Sequence, residues 1–433
     1  MPAQGALPAG LFDDARQPLL VGYSGGLDST VLLHALAATP AARAHGLRAL
    51  HVHHGLHAQA DAWVAHCERV CADLGVPLAV ARVRVEGSGE GAARAARHAA
   101  FAGHLRAGEV LVLAHHRDDQ AETFLLRALR GSGVDGLGAM RRWRPFAQGW
   151  LWRPLLDVPR RVLRDHAAAH GLGWIEDPSN ASSTPDRNFL RHAVLPLLRE
   201  RWPHADAAFA RSAALQAEAA ELLGVEDAVL LAQASAGDGN TLDLRMLRGW
   251  PAARRARVLR RWIEQLGLPP LPAHGIACVE TELLPARSDA EARFAWAGAE
   301  LRKWDELLHA DWQRPPLPPD FDTRWNGRTP LVLPTGDRLL LVPARPRDAG
   351  SFDPPLRAGA RRGGERIRLP GRAHSHALKH VLQELGVPPW TRERLPLLFD
   401  ASQRVVAAGD LAFDADFAAW LQARGARLLW TRG

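Results

Sequence analysis

The chain has 433 residues but only two lysines, Lys303 and Lys379, one tyrosine, Tyr23, and three cysteines, Cys67, Cys71 and Cys278. So odd and sparse a cysteine set excludes a disulfide framework, and the four-residue step from Cys67 to Cys71 suits one helix face better than a metal knuckle. Also missing is any apolar run near the roughly 20 residues of a membrane helix, and residues 1–17 hold Asp13 and Asp14 with no apolar leader core. A soluble, cytoplasmic protein with no membrane partner is therefore expected. What is abundant is arginine: Lys and Arg total 54 against 47 Asp and Glu, a net charge of +7 with a pI near 10.3, nearly all of it guanidinium. That balance points to a polyanionic partner, of which nucleic acid is the commonest.

A chain of this length exceeds one compact core and predicts several domains of roughly 100–200 residues each. Four short apolar runs, residues 19–23, 49–52, 78–85 and 110–114, alternate with helix-like stretches. The alternation predicts a doubly wound parallel sheet whose ligands sit beyond the carboxyl ends of its strands, where Ser24, His53 and His115 fall. The Ala/Glu/Leu-rich stretch 205–231 reads as a connecting helix, and Pro178 and Pro185 mark a loop before it. The expected organisation is α/β: a doubly wound domain over 1–215, a mostly helical domain over 216–312, a linker with a hairpin over 313–355, and a small α+β domain over 356–433. The hairpin is formed by residues 331–333 and 339–342 around Pro-Thr-Gly-Asp-Arg. In the helical block Arg254, Arg255, Arg257, Arg260 and Arg261 fit either a solvated face or a phosphate contact.

Residues 24–30 read Ser-Gly-Gly-Leu-Asp-Ser-Thr between a strand and a helix. Adjacent glycines permit a tight turn, the next helix offers free amides and a positive dipole end, and Ser24, Ser29 and Thr30 add hydroxyls: a phosphate site in outline. It is neither a Walker loop nor a dinucleotide fingerprint. Residues 115–123, His-His-Arg-Asp-Asp-Gln-Ala-Glu-Thr, open another helix and place Asp118, Asp119 and Glu122 on one face. Capping accounts for part of this, but two histidines and three carboxylates also fit a magnesium site or a pocket for a cationic group. Residues 51–57 hold four histidines, His51, His53, His54 and His57; strand alternation scatters them, so a loop lining a nucleotide pocket is expected rather than zinc. Arg187 and Arg191 lie one turn apart, with Asn188 between them, and can face one phosphate or base.

In this order the segments resemble the tRNA(Ile)-lysidine synthetases, a branch of the N-type ATP pyrophosphatases, also called the PP-loop superfamily. The matches are residues 24–29, 51–57, 115–123, Arg130 to Gly133 with Gly136 and Leu137, Arg153 to Leu156, Glu176 to Asn180, Arg187 to His192, Leu378-Lys379, and Pro388 to Arg392. The resemblance implies that ATP adenylates the wobble cytidine of the CAU anticodon of tRNA(Ile), and that the ε-amino group of free L-lysine then displaces AMP to give lysidine. Under it Ser24, Gly25, Gly26, Leu27, Asp28, Ser29 and His51 bind ATP, and Asp28 lies near Mg²⁺. Asp119 and Glu122 hold lysine, and the catalytic set is Asp28, His115, Asp119 and Glu122, with a base near Asp119 or His115. Arg187, Asn188, Arg191, Lys379 and Arg392 contact tRNA, and a homodimer is carried as the quaternary expectation.

The chain departs from the family where His53 and His57 replace the usual Asn and Arg. A cytidine thiolase of the same superfamily would need cysteines for a cluster or sulfur relay, which three scattered thiols do not provide. An ammonia-using synthetase would share the loop but not explain the basic charge, and a non-catalytic nucleotide binder would give no tRNA-dependent AMP release.

Overall fold

The computed structural model describes residues 7–55, 59–85, 90–178, 186–237, 239–287, 292–343 and 351–431. His57, Ser179, Asn180 and Pro185 lie outside the described residues. The chain divides into two compact units, Met1–Glu226 and Asp227–Gly433.

In the first unit the four apolar runs become parallel strands β1 (Leu19–Gly22), β2 (Leu47–His53), β3 (Leu78–Arg82) and β4 (Val110–Val112). A hairpin the apolar runs did not announce, β5 (Trp143–Phe146) with β6 (Gly149–Trp152), extends the sheet, giving the order β3-β2-β1-β4-β6-β5. Alternation sorts each strand onto two cores. Leu19, Val21, Val110 and Val112 face one buried cluster, while Leu20, Leu50, Leu111 and Leu113 face another with Phe101 and Leu105. Helices cover both faces, in chain order α1 (Leu27–Ala37), α2 (Pro40–His45), α3 (Ala60–Asp73), α4 (Glu90–His104), α5 (Arg117–Leu129), α6 (Val134–Leu137) and α7 (Arg160–Ala169). Beyond them come α8 (Asp186–Phe189), a π-helical turn Leu190–Val194, α9 (Leu195–Arg201) and α10 (Ala205–Ala234), the expected connecting helix. The chain reverses its progression across the sheet between β1 and β4, so the crevice for a ligand opens beyond the ends of those two strands.

In the second unit, the block read as mostly helical keeps its helices (Leu244–Arg248, Ala252–Gln265 and Ala273–Cys278) but also builds a five-stranded antiparallel sheet. Three of its strands, Arg293–Trp296, Ala299–Trp304 and Leu307–Trp312, were not anticipated, because Glu300 and Lys303 are buried and break the apolar alternation. The Lys303 ammonium is held by the Ala286 carbonyl. The segment read as a linker is likewise woven into the C-terminal fold. Its hairpin forms as expected (Leu331↔Leu339), but Leu339 also pairs with Trp430 on the last strand, Ala426–Thr431, and Asp322–Trp325 pairs with Leu356–Gly359. Proline-rich flanks masked strands whose partners lie far along the chain, Gly359 for Asp322 and Trp430 for Leu339. Among the described residues no helix is long and apolar enough to cross a membrane.

Candidate functional site

The loop after β1 is shaped by backbone rather than by side chains. Gly25 sits at φ +83°, and a Cβ there would lie 2.5 Å from Ile175 Cδ1 and 2.9 Å from Cys67 Sγ, so only glycine fits. The Ile175 amide donates to the Gly25 carbonyl at 2.9 Å. Of the hydroxyls expected to serve as phosphate donors, those of Ser29 and Thr30 turn inward, while Ser24 stays exposed at the loop. Ser29 Oγ donates to the Gly26 carbonyl at 3.0 Å and lies 3.0 Å from Ser24 Oγ, while Thr30 Oγ1 donates to the same carbonyl at 3.0 Å. Gly26 caps α1 without a side chain, leaving the first-turn amides of Leu27, Asp28 and Ser29 unreachable by any intrahelical carbonyl. The cradle is therefore a set of amides at a helix N-terminus.

His51 braces this loop from behind: Nδ1–H donates to the Tyr23 carbonyl at 3.0 Å and lies 3.4 Å from Cys67 Sγ. Burial pushes His51 below the usual histidine range and Cys67 up to about 12, so both are neutral packing groups. His53, one of the departures, shares the strand face of His51 two residues on and lies 3.4 Å from both Asp61 Oδ1 and Arg82 Nη1.

The second wall is the start of α5, beyond β4. His116 is its N-cap in a reciprocal box: Nδ1 accepts from the Asp119 amide at 3.3 Å and the His116 amide donates to Asp119 Oδ2 at 3.1 Å. Its Nε2 then points between Asp119 Oδ2 at 3.4 Å and Asp28 Oδ2 at 3.5 Å, tying α5 to α1. Burial opposes a charge on this ring, but Asp119 and Asp28 outweigh it and raise its proton affinity. Arg160, at the start of α7, lies 3.5 Å from Asp28 Oδ1 and gives its amide to Asp118 Oδ1 at 3.0 Å. Arg160 was not singled out by sequence, and His116 entered only as one of the two histidines of residues 115–123.

Asp119 and Glu122 do come together, as expected, but they do not stand open. Arg187 Nε donates to Glu122 Oε2 at 2.8 Å and its Nη2 to Asp119 Oδ1 at 3.0 Å. Arg191 Nε donates to Glu122 Oε1 at 2.6 Å, and its Nη2 reaches Glu122 Oε2 at 2.9 Å and Asp119 Oδ1 at 3.1 Å. The arginines expected to meet RNA thus neutralise the carboxylates expected to meet lysine. Burial works against the Asp119 carboxylate, yet His116, Arg187 and the other cations hold it far below the usual range.

Beside this cluster lies an excess of positive charge. Arg153 Nε donates to His115 Nδ1 at 3.3 Å, and Arg144 stacks 5.5 Å from the Phe146 ring, which in turn meets His98 edge-on at 5.8 Å. Burial pushes Arg153 down to about 10, with Arg144, Arg94 and Arg127 adding repulsion. Burial likewise pushes His115 down to about 3, Asp119 opposing and Arg153 and Arg187 reinforcing. His115 thus accepts from Arg153, and its lowered proton affinity does not favour the base role expected of it.

Asn188 lies half-buried on the same short helix as Arg187. Lys379 is exposed, whereas Arg392 is buried, its Nε donating to the Val387 carbonyl at 2.6 Å and its guanidinium 5.5 Å from the Trp304 ring, a packing position. In the second unit Arg255 pairs with Glu280 and Arg257 with Asp227 at 2.7 Å, so part of that arginine run is internal. Among the described residues no three His, Cys, Asp or Glu side chains are grouped to hold a metal by themselves. Asp28 does fit a cation shared with phosphates: its carboxylate is 29% exposed at the loop and has only 3.5 Å contacts.

Three family models match the chain: a PP-loop domain over residues 6–198, a TilS substrate binding domain over 242–309 and a TilS substrate C-terminal domain over 356–430. The tRNA(Ile)-lysidine synthase of Xylella fastidiosa strain Temecula1 is 53% identical over 421 residues, 96% of each chain. That of Xanthomonas axonopodis pv. citri strain 306 is 55% identical, covering 95% of this chain and 94% of its own. That of Alkalilimnicola ehrlichii is 45% identical, covering 92% and 91%.

Proposed function

The chain belongs to the tRNA(Ile)-lysidine synthase family, and we propose that its first unit joins free L-lysine to C2 of the wobble cytidine in the CAU anticodon of tRNA(Ile), using ATP. The observation that carries this reading is the juxtaposition, at the sheet's switch point, of an amide phosphate cradle and a buried two-carboxylate site for a cation. The cytidine C2 oxygen attacks the α-phosphorus of ATP and pyrophosphate leaves; the lysine ε-amine then attacks C2 and the C2–O bond breaks to release AMP. The amides of residues 27–29 hold the departing pyrophosphate. Asp28 is the residue that would hold Mg²⁺ at the loop, where the ion would supply charge neutralisation to the triphosphate. Asp119 and Glu122 receive the lysine side chain.

The reaction works inside the cytoplasm, where ATP, lysine and tRNA are all present. Arg94, Arg127, Arg144 and Arg153, which repel one another around His115, provide the field that draws the anticodon backbone towards it. Lys379 offers a further phosphate contact in a C-terminal tRNA-binding module over 356–433. The test is incubation with ATP, labelled lysine and unmodified CAU tRNA. Label in the RNA with release of AMP is expected; no label with any CAU tRNA, together with ATP turnover on a small acceptor, would overturn the reading.

A further inference from the structure

The carboxylate pair is already filled by groups of the same charge as the ammonium it is read to hold. Asp119 and Glu122 carry two negative charges, Arg187 and Arg191 two positive ones, and the Glu122 side chain is only 2% exposed. The acceptors are used as fully as the charge. Asp119 Oδ1 takes both Nη2 groups, Asp119 Oδ2 takes the His116 amide, and Glu122 takes three guanidinium donors. Free lysine has a net positive charge at neutral pH, and its ammonium needs about three acceptors. Adding it to this cluster would leave an uncompensated buried cation, which is costly, so a guanidinium must first leave.

We propose that Arg191 is the group that leaves, and that it makes lysine binding conditional on a nucleotide phosphate at the 24–29 loop. Without nucleotide, Arg191 sits where the ε-ammonium belongs. A phosphate at the loop gives its planar fork a bidentate partner, and the lysine ammonium takes the vacated carboxylate oxygens. Two features point to Arg191. Asp28 at the loop is one of the carboxylates acting on it, beside Glu122 and Asp119. It is also carried on the π-helical turn Leu190–Val194, a rare geometry that occurs mostly at functional sites. The consequence is an imposed order: lysine, a nucleophile in excess in any cell, gains its site only once the activating phosphate is in place.

This inference rests on the reading that Asp119 and Glu122 receive lysine, and one experiment separates the two. L-lysine is titrated calorimetrically into the full-length protein alone and with saturating α,β-methylene-ATP and Mg²⁺. The expected result is a lysine Kd tighter by about tenfold or more with the analogue, and by reciprocity an equal gain in analogue affinity with lysine. In Arg191→Met lysine binds without the analogue and the ratio of the two Kd values falls to near one. Equal lysine Kd values in the unmodified protein overturn the imposed order, whether or not the variants fold. A ratio lost in Arg187→Met but kept in Arg191→Met overturns the assignment to Arg191. An unmodified protein that binds lysine under neither condition, or a Glu122→Gln variant that binds it unchanged, overturns the underlying reading as well.

Discussion

Replacing Glu122 by glutamine removes one charge and almost no volume, and the structure fixes what that costs. Three guanidinium donors at 2.6–2.9 Å lose an anionic acceptor, and part of the new amide presents N–H to N–H. Two guanidiniums are then left on Asp119 alone. Breaking a buried ion pair from one side costs about 3–5 kcal/mol. Arg187 and Arg191 keep 21% and 24% of their side-chain surface in water, so part of their charge can rehydrate, and about 2–3 kcal/mol is expected. For a unit of this size that lowers the melting temperature by roughly 5–10 °C.

The coupling is sharper than the loss. Arg191→Met leaves Glu122 paired with Arg187, so its own cost is smaller, about 1–2 kcal/mol. In the double variant the two losses overlap, and the cycle should return a coupling of about 1–2 kcal/mol. Denaturation midpoints followed by tryptophan fluorescence give the stabilities, and the ATP–lysine–tRNA assay gives function: Glu122→Gln should lose lysine transfer while ATP-dependent adenylation of tRNA continues. A Glu122→Gln protein that melts within a degree of its parent, or that adds simply with Arg191→Met, would refute a charge-balanced cluster in the resting protein.

Gly25→Ala should destabilise by about 2–4 kcal/mol and abolish ATP-dependent turnover, because the loop must adopt φ +83° against Ile175 and Cys67. Gly26→Ala, whose Cβ meets nothing nearer than 3.5 Å, should leave the denaturation midpoint almost unchanged. His115 is depressed to about 3, so below its unfolded value near 6.5 the unfolded chain takes up a proton that the native ring refuses. Stability therefore falls as pH falls from about 6.5 towards 3; His115 is only half-buried by surface, so a loss on the order of 2–4 kcal/mol is expected, and His115→Asn should flatten the urea midpoint across that window. Asp119→Asn should abolish lysine incorporation while sparing tRNA binding; retained turnover would remove Asp119 from the site. Lys379→Ala should reduce the salt dependence of tRNA binding by about one ion, whereas Arg392→Met should loosen the C-terminal fold and leave that slope unchanged.

The N-terminal sheet was legible because its signals are local. Short apolar runs between helices announce parallel strands, and Gly25-Gly26 at a strand end announces a loop whatever the rest of the chain does. The antiparallel sheets were not. Ala299–Trp304 hides its period behind buried Glu300 and Lys303, and Leu339 finds Trp430 ninety-one residues on, a pairing no window on the sequence contains. Side-chain partnership fails for the same reason. The sequence places Arg187 and Arg191 one turn apart and Asp119 and Glu122 on one face, but only the fold brings α8 and its π-helical turn against α5, making the four one cluster.

The capping role and the binding role read from residues 115–123 turn out not to compete, because they fall on different atoms. Asp119 Oδ2 closes the box with the His116 amide and stays with the helix; Oδ1 faces Arg187 and Arg191 and belongs to the site. A helix N-cap holds a carboxylate to a few tenths of an ångström without consuming its second oxygen, which is what a site that must tell an ammonium from a guanidinium requires. Glu122 has no such second duty: one turn further along α5, all three of its acceptor contacts go to the arginines. Substituting Asp119 therefore disturbs the start of α5 and the cluster together, and only Glu122 reports on the charge balance alone.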